Sequence, residues 1–152
     1  MLERIWNGRK DEDGFTLIEL MVVVLIIAIL IAIAIPTFLG LRRRAQDRSA
    51  QSDLRNGLTA AKAYYTDADT YTGFDAADGE AVEPSLTWAD TATPGANTVG
   101  VIGVGAQTVV LNRVSASGTT FCLSDDASAT GGTARGVGSA ATHAACVALD
   151  DW

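Results

Sequence analysis

The sequence predicts an α+β protein: one long amino-terminal helix, transmembrane in its first part and amphipathic in its second, packed on a small antiparallel β-sheet head. Three observations predict it. Every side chain from Leu20 to Ile35 is apolar. A stretch with apolar residues every three or four positions follows. Short β-type runs separated by hairpin-length breaks fill much of the last third. The 152 residues are enough for one small domain plus a membrane segment.

Residues 1–14 are hydrophilic, with Arg4, Arg9 and Lys10 diluted by Glu3, Asp11, Glu12 and Asp13. From Leu20 to Leu41 only Pro36, Thr37 and Gly40 interrupt the apolar character. As a helix this segment is about 33 Å long, which matches a hydrocarbon core of roughly 30 Å. It is too long and too uniform for an ordinary amphipathic core helix. It is also too long for a cleaved secretory signal, and Ile33-Ala34-Ile35-Pro36 is a poor cut site. Glu19 sits at the mouth of this run, far from any basic residue. Pro36 should bend or locally loosen the helix.

Residues 42–66 continue the helix. Ala50, Leu54, Leu58, Ala61 and Tyr65 recur at spacings of four and three, while Arg48, Gln51, Arg55 and Lys62 fill the other faces. Asn56-Gly57 would suit a hairpin, but its flanks are helical, so Gly57 reads as a tolerated helix glycine. Phe15 to Thr66 thus reads as one nearly continuous helix, on the order of 78 Å long.

Residues 67–152 form the head. A connector over 67–98 carries Pro84 and Pro94 and is pinned by Tyr71, Phe74, Leu86 and Trp88. Tyr64, Tyr65, Tyr71 and Phe74 cluster at the stalk–head junction to pack it. Strands are expected at 97–104, 107–114, 119–124 and 145–150, as an antiparallel meander. The Leu54–Leu58–Tyr65 stripe is the available cover for one face of that sheet. Residues 125–144 read as a Gly, Ala, Ser and Thr loop.

Charge is unevenly spread. The chain carries 11 Lys and Arg against 18 Asp and Glu, a net charge of -7. Residues 42–66 hold six basic and two acidic groups, whereas 67–152 hold only Arg113 and Arg135 against eleven acids. A basic stalk precedes an acidic head, which argues against nucleic acid as the main partner of the bulk surface. The two cysteines, Cys122 and Cys146, cannot alone make a four-ligand metal site. They read as a disulfide if the head is extracytoplasmic and as separate thiols if it is cytosolic. The count of Lys and Arg beside the span favours a cytoplasmic head. His143 lacks a serine-centred motif and reads as a loop histidine. Asp125-Asp126 and Asp150-Asp151 read as solvated loop acids, with calcium as the competing reading. No phosphate-binding loop occurs. The residues name no catalytic group, metal or cofactor.

The stretch GFTLIE at 14–19, followed by about twenty apolar residues, resembles the amino-terminal signature of type IV pilins and pseudopilins. Glycine, phenylalanine, glutamate and proline fall at the family's spacing, though no glycine precedes Pro36 within the apolar run. The resemblance implies a 1–14 leader in the cytoplasm, cut between Gly14 and Phe15 by a prepilin peptidase, with methylation of the new Phe15 amine. It implies a head outside, against the arginine count, and therefore a Cys122–Cys146 disulfide. Pro36 matches the family's helix-interrupting proline. Glu19 matches its acidic residue, one turn from the new amine and in the first turn of the helix, where the dipole favours negative charge. Pairing with the Phe15 amine of a neighbouring subunit would set axial register.

The implied function is a structural subunit of a type IV pilus, not an enzyme. The partners are further copies of itself, the prepilin peptidase, the inner-membrane assembly machinery and, before assembly, the membrane. The alternatives are a pseudopilin of a type II secretion system, or a minor pilin or binding module at a fibre tip.

Overall fold

The computed structural model describes residues 14–152. The expected 1–14 leader, apart from Gly14, lies outside the described residues. Helix α1 spans Leu17–Ala68 and contains Pro36. The expected helix is therefore present, displaced by two residues at each end. Its start is set by Thr16, which hydrogen-bonds into the first turn. Its end is set by Asp69, whose φ of 55° leaves the right-handed helical region. The chain divides into two compact units at Gly40–Leu41.

The first unit is the apolar part of α1. Its side chains from Phe15 to Leu39 are exposed in the single chain. By length and composition it is apolar enough to cross a membrane.

The second unit, Leu41–Trp152, is the head with the polar part of α1. It adds helix α2, Ala76–Val82, and strands β1 (Thr87–Ala89), β2 (Thr98–Val101), β3 (Thr108–Val114), β4 (Thr120–Asp126) and β5 (Thr133–Val137). Helix α3, His143–Val147, closes it. Spatial strand order follows sequence order, β1-β2-β3-β4-β5. Pairs β2–β3, β3–β4 and β4–β5 are antiparallel. The β1–β2 pair is parallel, so the sheet is antiparallel except at one edge.

One sheet face packs under α1. Ala50, Leu54, Leu58 and Ala61 are buried with Val99, Val109, Leu111, Phe121 and Leu123. The amphipathic stripe therefore covers the sheet as the spacing implies. Gly57 is more than tolerated: a Cβ there would lie 3.2 Å from the Trp88 ring and 3.4 Å from Leu111. It lets the helix backbone approach the sheet closely.

The other face carries a layer that the sequence reading missed. Alternation along β3 turns Val110 and Asn112 away from α1. Val110 packs with Cys122, Ala140 and Cys146. Asn112 donates to Ser139 Oγ and the Ala140 carbonyl, both at 2.9 Å. The expected strand at 145–150 is instead α3 and its exit. Thr142 caps α3 by accepting from the Ala145 N–H at 3.1 Å. That cap outweighs the β character of Cys146 and Val147. Part of the expected 125–144 loop is β5, which completes the ladder on β4. The connector contains α2, with Asp75 and Asp78 forming a reciprocal capping box.

Candidate functional site

At the amino-terminal end of α1, Phe15 is 85% exposed. Thr16 precedes the first helical residue, and Glu19 is three positions further on. Glu19 Oε2 accepts from the Thr16 N–H at 2.9 Å and from the Thr16 hydroxyl at 2.6 Å. Thr16 Oγ1 in turn accepts from the Glu19 N–H at 3.3 Å. This is a capping box, and Thr-x-x-Glu before an apolar run is its sequence signature. Within one chain the carboxylate therefore closes onto the helix's own orphan donors. The sequence reading singled out Glu19 but overlooked Thr16.

Further along, α1 runs through Pro36. Proline lacks an N–H, so the Ala32 carbonyl loses its usual helical donor. At the next residue, the Thr37 hydroxyl donates to the Ile33 carbonyl at 3.2 Å. Arg42, Arg43 and Arg44 follow, all exposed.

In the head, two ion pairs join α1 to the sheet. The Arg113 guanidinium, 5% exposed, meets Asp53. Burial lowers the Arg113 pKa and the Asp53 charge opposes that shift. Arg113 Nε is buried without a hydrogen-bond partner. The second pair is Lys62 Nζ with Asp125 Oδ1 at 2.9 Å. Asp125 also accepts from the Tyr71 hydroxyl at 2.9 Å and the Thr133 hydroxyl at 2.8 Å. Burial acts to raise the Asp125 pKa, but the Lys62, Thr133 and Tyr71 hydrogen bonds and the Lys62 charge hold it below the ordinary value. Burial, reinforced by hydrogen bonding to Asp125, pushes the Tyr71 phenol upward. Asp125 is thus a buried structural acid, not a solvated one. Asp151 is engaged by Arg135. The two acid pairs therefore do not combine: among the described residues no cluster of three or more His, Cys, Asp or Glu is placed to hold a metal.

Cys122 and Cys146 are disulfide-bonded, with Cα atoms 6.1 Å apart and 24 residues of sequence separation. His143 is the first residue of α3, with Nδ1 3.0 Å from the Ser124 hydroxyl. Ser124 is fully buried, so the contact anchors α3 and offers no accessible nucleophile.

A cleft of about 650 Å³ lies between the polar part of α1 and β5. Its lining includes Leu58, Leu123, Leu149 and Trp152. The Arg55 and Arg135 guanidiniums lie 4.9 and 5.7 Å from the Trp152 ring centroid. Trp152 is fixed by donation from Nε1 to the Cys122 carbonyl at 3.2 Å. This pairing of distant residues was not legible from spacing.

Residues 9–35 match a family model described as the prokaryotic N-terminal methylation motif. The chain is 46% identical over 71 residues to the type IV major pilin protein PilA of Myxococcus xanthus, covering 47% of this chain and 32% of that protein. It is 41% identical over 68 residues to the type IV wide pilus major component PilA4 of Thermus thermophilus, covering 45% and 52%. It is 33% identical over 63 residues to the type II secretion system core protein G of Aeromonas hydrophila, covering 41% and 44%. The chain thus spans between a third and about half of the length of these relatives. No solved structure matches it.

Proposed function

We propose that this chain, whose amino-terminal part is that of the type IV pilin family, is a structural subunit of a type IV pilus. The observation that carries the reading is the methylation motif leading directly into an apolar helix that its own chain leaves uncovered. A side-chain surface of this kind needs lipid before assembly and other helices after it. The similarity to major pilins of two organisms points the same way.

In this reading the leader is cut between Gly14 and Phe15 by a prepilin peptidase, and the Phe15 amine is methylated. The chain waits as a single-pass membrane protein with its head outside, and the inner-membrane machinery then adds it to the fibre. Pro36 loosens the helix as it packs. Glu19 gives up its contacts with Thr16 and pairs with the Phe15 amine of the neighbouring subunit. The role is structural, without catalysis or a cofactor. A type II secretion pseudopilin is the second reading, favoured by the similarity to core protein G.

Mass spectrometry of filaments sheared from cells tests this directly. The expected mass is residues 15–152 carrying one methyl group and the disulfide. An intact leader, or a start near Pro36, in assembled protein overturns the reading. Loss of protein export with no loss of surface fibres, on deleting the gene, would select the pseudopilin.

A further inference from the structure

Four arginines stand close together on α1: Arg42, Arg43, Arg44 and Arg48. All four are exposed, and none is in an ion pair among the described residues. Asp47 lies four residues beyond Arg43 and three beyond Arg44, the spacings at which a helical ion pair forms. Its carboxylate instead accepts from the Ser117 hydroxyl of the β3–β4 turn. The next acid of the helix, Asp53, is taken by Arg113. Arg44 and Arg48 are themselves one turn apart, a like-charge spacing that is unfavourable without an anion between them. All four lie far from either end of α1, so no helix terminus compensates them.

At about 100° per residue, Arg42, Arg43 and Arg44 fall in three directions around the helix axis, and Arg48 falls near Arg44. The charge therefore encircles the helix and does not mark one face. A protein docked on one side would engage one or two of these groups. A lipid surface crossed by the helix surrounds it and can engage them all. In sequence the belt follows directly on the run Leu20–Leu41, which as a helix is about as long as a hydrocarbon core is thick. Guanidinium groups just beyond such a run reach the level of the lipid phosphates. Their planar forks match phosphate oxygens in pairs.

We propose that the Arg42–Arg43–Arg44 belt, with Arg48, binds the headgroups of anionic phospholipids in the leaflet on the head's side of the membrane. This inference rests on the membrane-spanning stage of the pilus reading and adds the class of lipid to it. It also answers the arginine count, which opposes a head outside. Lipid phosphates on that side offset the bias by neutralising the belt after it has crossed.

The experiment uses the full chain, reconstituted in nanodiscs of phosphatidylcholine and phosphatidylglycerol in equal amounts. Native mass spectrometry counts the lipids that stay bound on release. Wild type should retain phosphatidylglycerol over phosphatidylcholine by about fivefold or more, the scale that one basic residue supplies at an anionic surface. Arg42→Gln with Arg43→Gln and Arg44→Gln should abolish the preference. The corresponding three changes to Lys should keep part of it, since charge remains and the fork is lost. Inorganic phosphate should compete no better than chloride at equal ionic strength. An intact Cys122–Cys146 disulfide in each variant shows that the head has folded. Three results would each overturn the proposal: no preference in wild type, a preference that survives the three glutamines, or displacement by inorganic phosphate. Filaments lost in the glutamine variant with its lipid preference unchanged would likewise assign the belt to the fibre. The readout is taken on unassembled protein, so its failure leaves the pilus reading to be judged by the Phe15 start of wild-type filaments.

Discussion

Asp125 shows how much a single residue's setting escapes its sequence. In the chain it is one of a pair of acids beside a small-residue segment, and it reads as solvated. In the fold it is 6% exposed and accepts from Lys62, Tyr71 and Thr133. Lys62 and Tyr71 lie more than fifty residues before Asp125 in sequence, and no local pattern records that they meet it. The consequence is a pH dependence of known sign. The folded-state pKa lies below the ordinary value of 3.8. The stabilisation is therefore fully present above the unfolded value and is lost as pH falls through the folded one. Wild type should be more stable than Asp125→Asn at neutral pH, and the gap should narrow below about pH 4. Chemical denaturation of the full chain in detergent, followed by tryptophan fluorescence across that range, measures it. A gap that stays constant to pH 2 would show that the carboxylate's charge is irrelevant to its place. Arg113 teaches the same lesson. Its sequence neighbours mark a strand, yet nothing in them says that Asp53 of the helix reaches it.

Elements were legible where periodicity was strong. The α1 stripe repeats at three and four, and the helix and the sheet face it covers follow from that. Strands β2, β3 and β4 carry dense apolar or β-branched residues; β2 and β3 fall within the expected runs, and β4 runs past its expected end at 124 to Asp126. Elements stabilised mainly by context were not legible. Strand β5 is Thr-Ala-Arg-Gly-Val, with little apolar content, and it exists because β4 offers an open edge. Helix α3 has five residues, too few to be stable in isolation. It is held by the Thr142 cap, by Ser124 through His143, and by the disulfide. This layer covers the sheet face opposite α1, so detaching it should expose Val110 and Ala140. Cys122 and Cys146 close a loop of about 25 residues, which the chain-entropy model values at about 3 kcal/mol. Cys122→Ala with Cys146→Ala should lower unfolding stability by that order and increase proteolysis between Gly131 and Ala148. Limited proteolysis with peptide mapping checks both the size and the place. Cleavage confined to the 67–98 connector would show that α3 does not depend on its tether.

Across the whole molecule, the decisive question is what Glu19 does if, as proposed, the apolar helix leaves lipid for a fibre. A carboxylate in a membrane helix is unfavourable by roughly 2.5–3.5 kcal/mol at the centre and by less near an end. The Thr16 capping box lessens that penalty in the single chain by giving the carboxylate two donors. A packed fibre changes the balance. In the proposed fibre each added subunit, cut after Gly14, would carry a charged amine on Phe15 into an apolar bundle, where an unpaired charge is strongly destabilising. The two possible jobs of Glu19 make different forecasts, and Thr16 separates them. If Glu19 serves only its own helix, then Thr16→Ala, which keeps only the Thr16 N–H bond to the carboxylate, and Glu19→Ala both break the box and should impair fibres to a similar extent, by the order of 1 kcal/mol that a lost cap represents. If Glu19 pairs between subunits, Thr16→Ala should be mild. Glu19→Ala should still insert, be cut after Gly14 and fold its head, yet build almost no fibre, because the neighbouring amine is stranded. Glu19→Gln should fall between them, keeping hydrogen bonding without charge. Counting surface filaments for the three variants, with processing checked by mass, decides the matter. Inter-subunit pairing predicts the order Thr16→Ala, then Glu19→Gln, then Glu19→Ala, from most fibre to least. Equal loss in Thr16→Ala and Glu19→Ala would assign the carboxylate to its own helix and leave the amine to be neutralised by some other group.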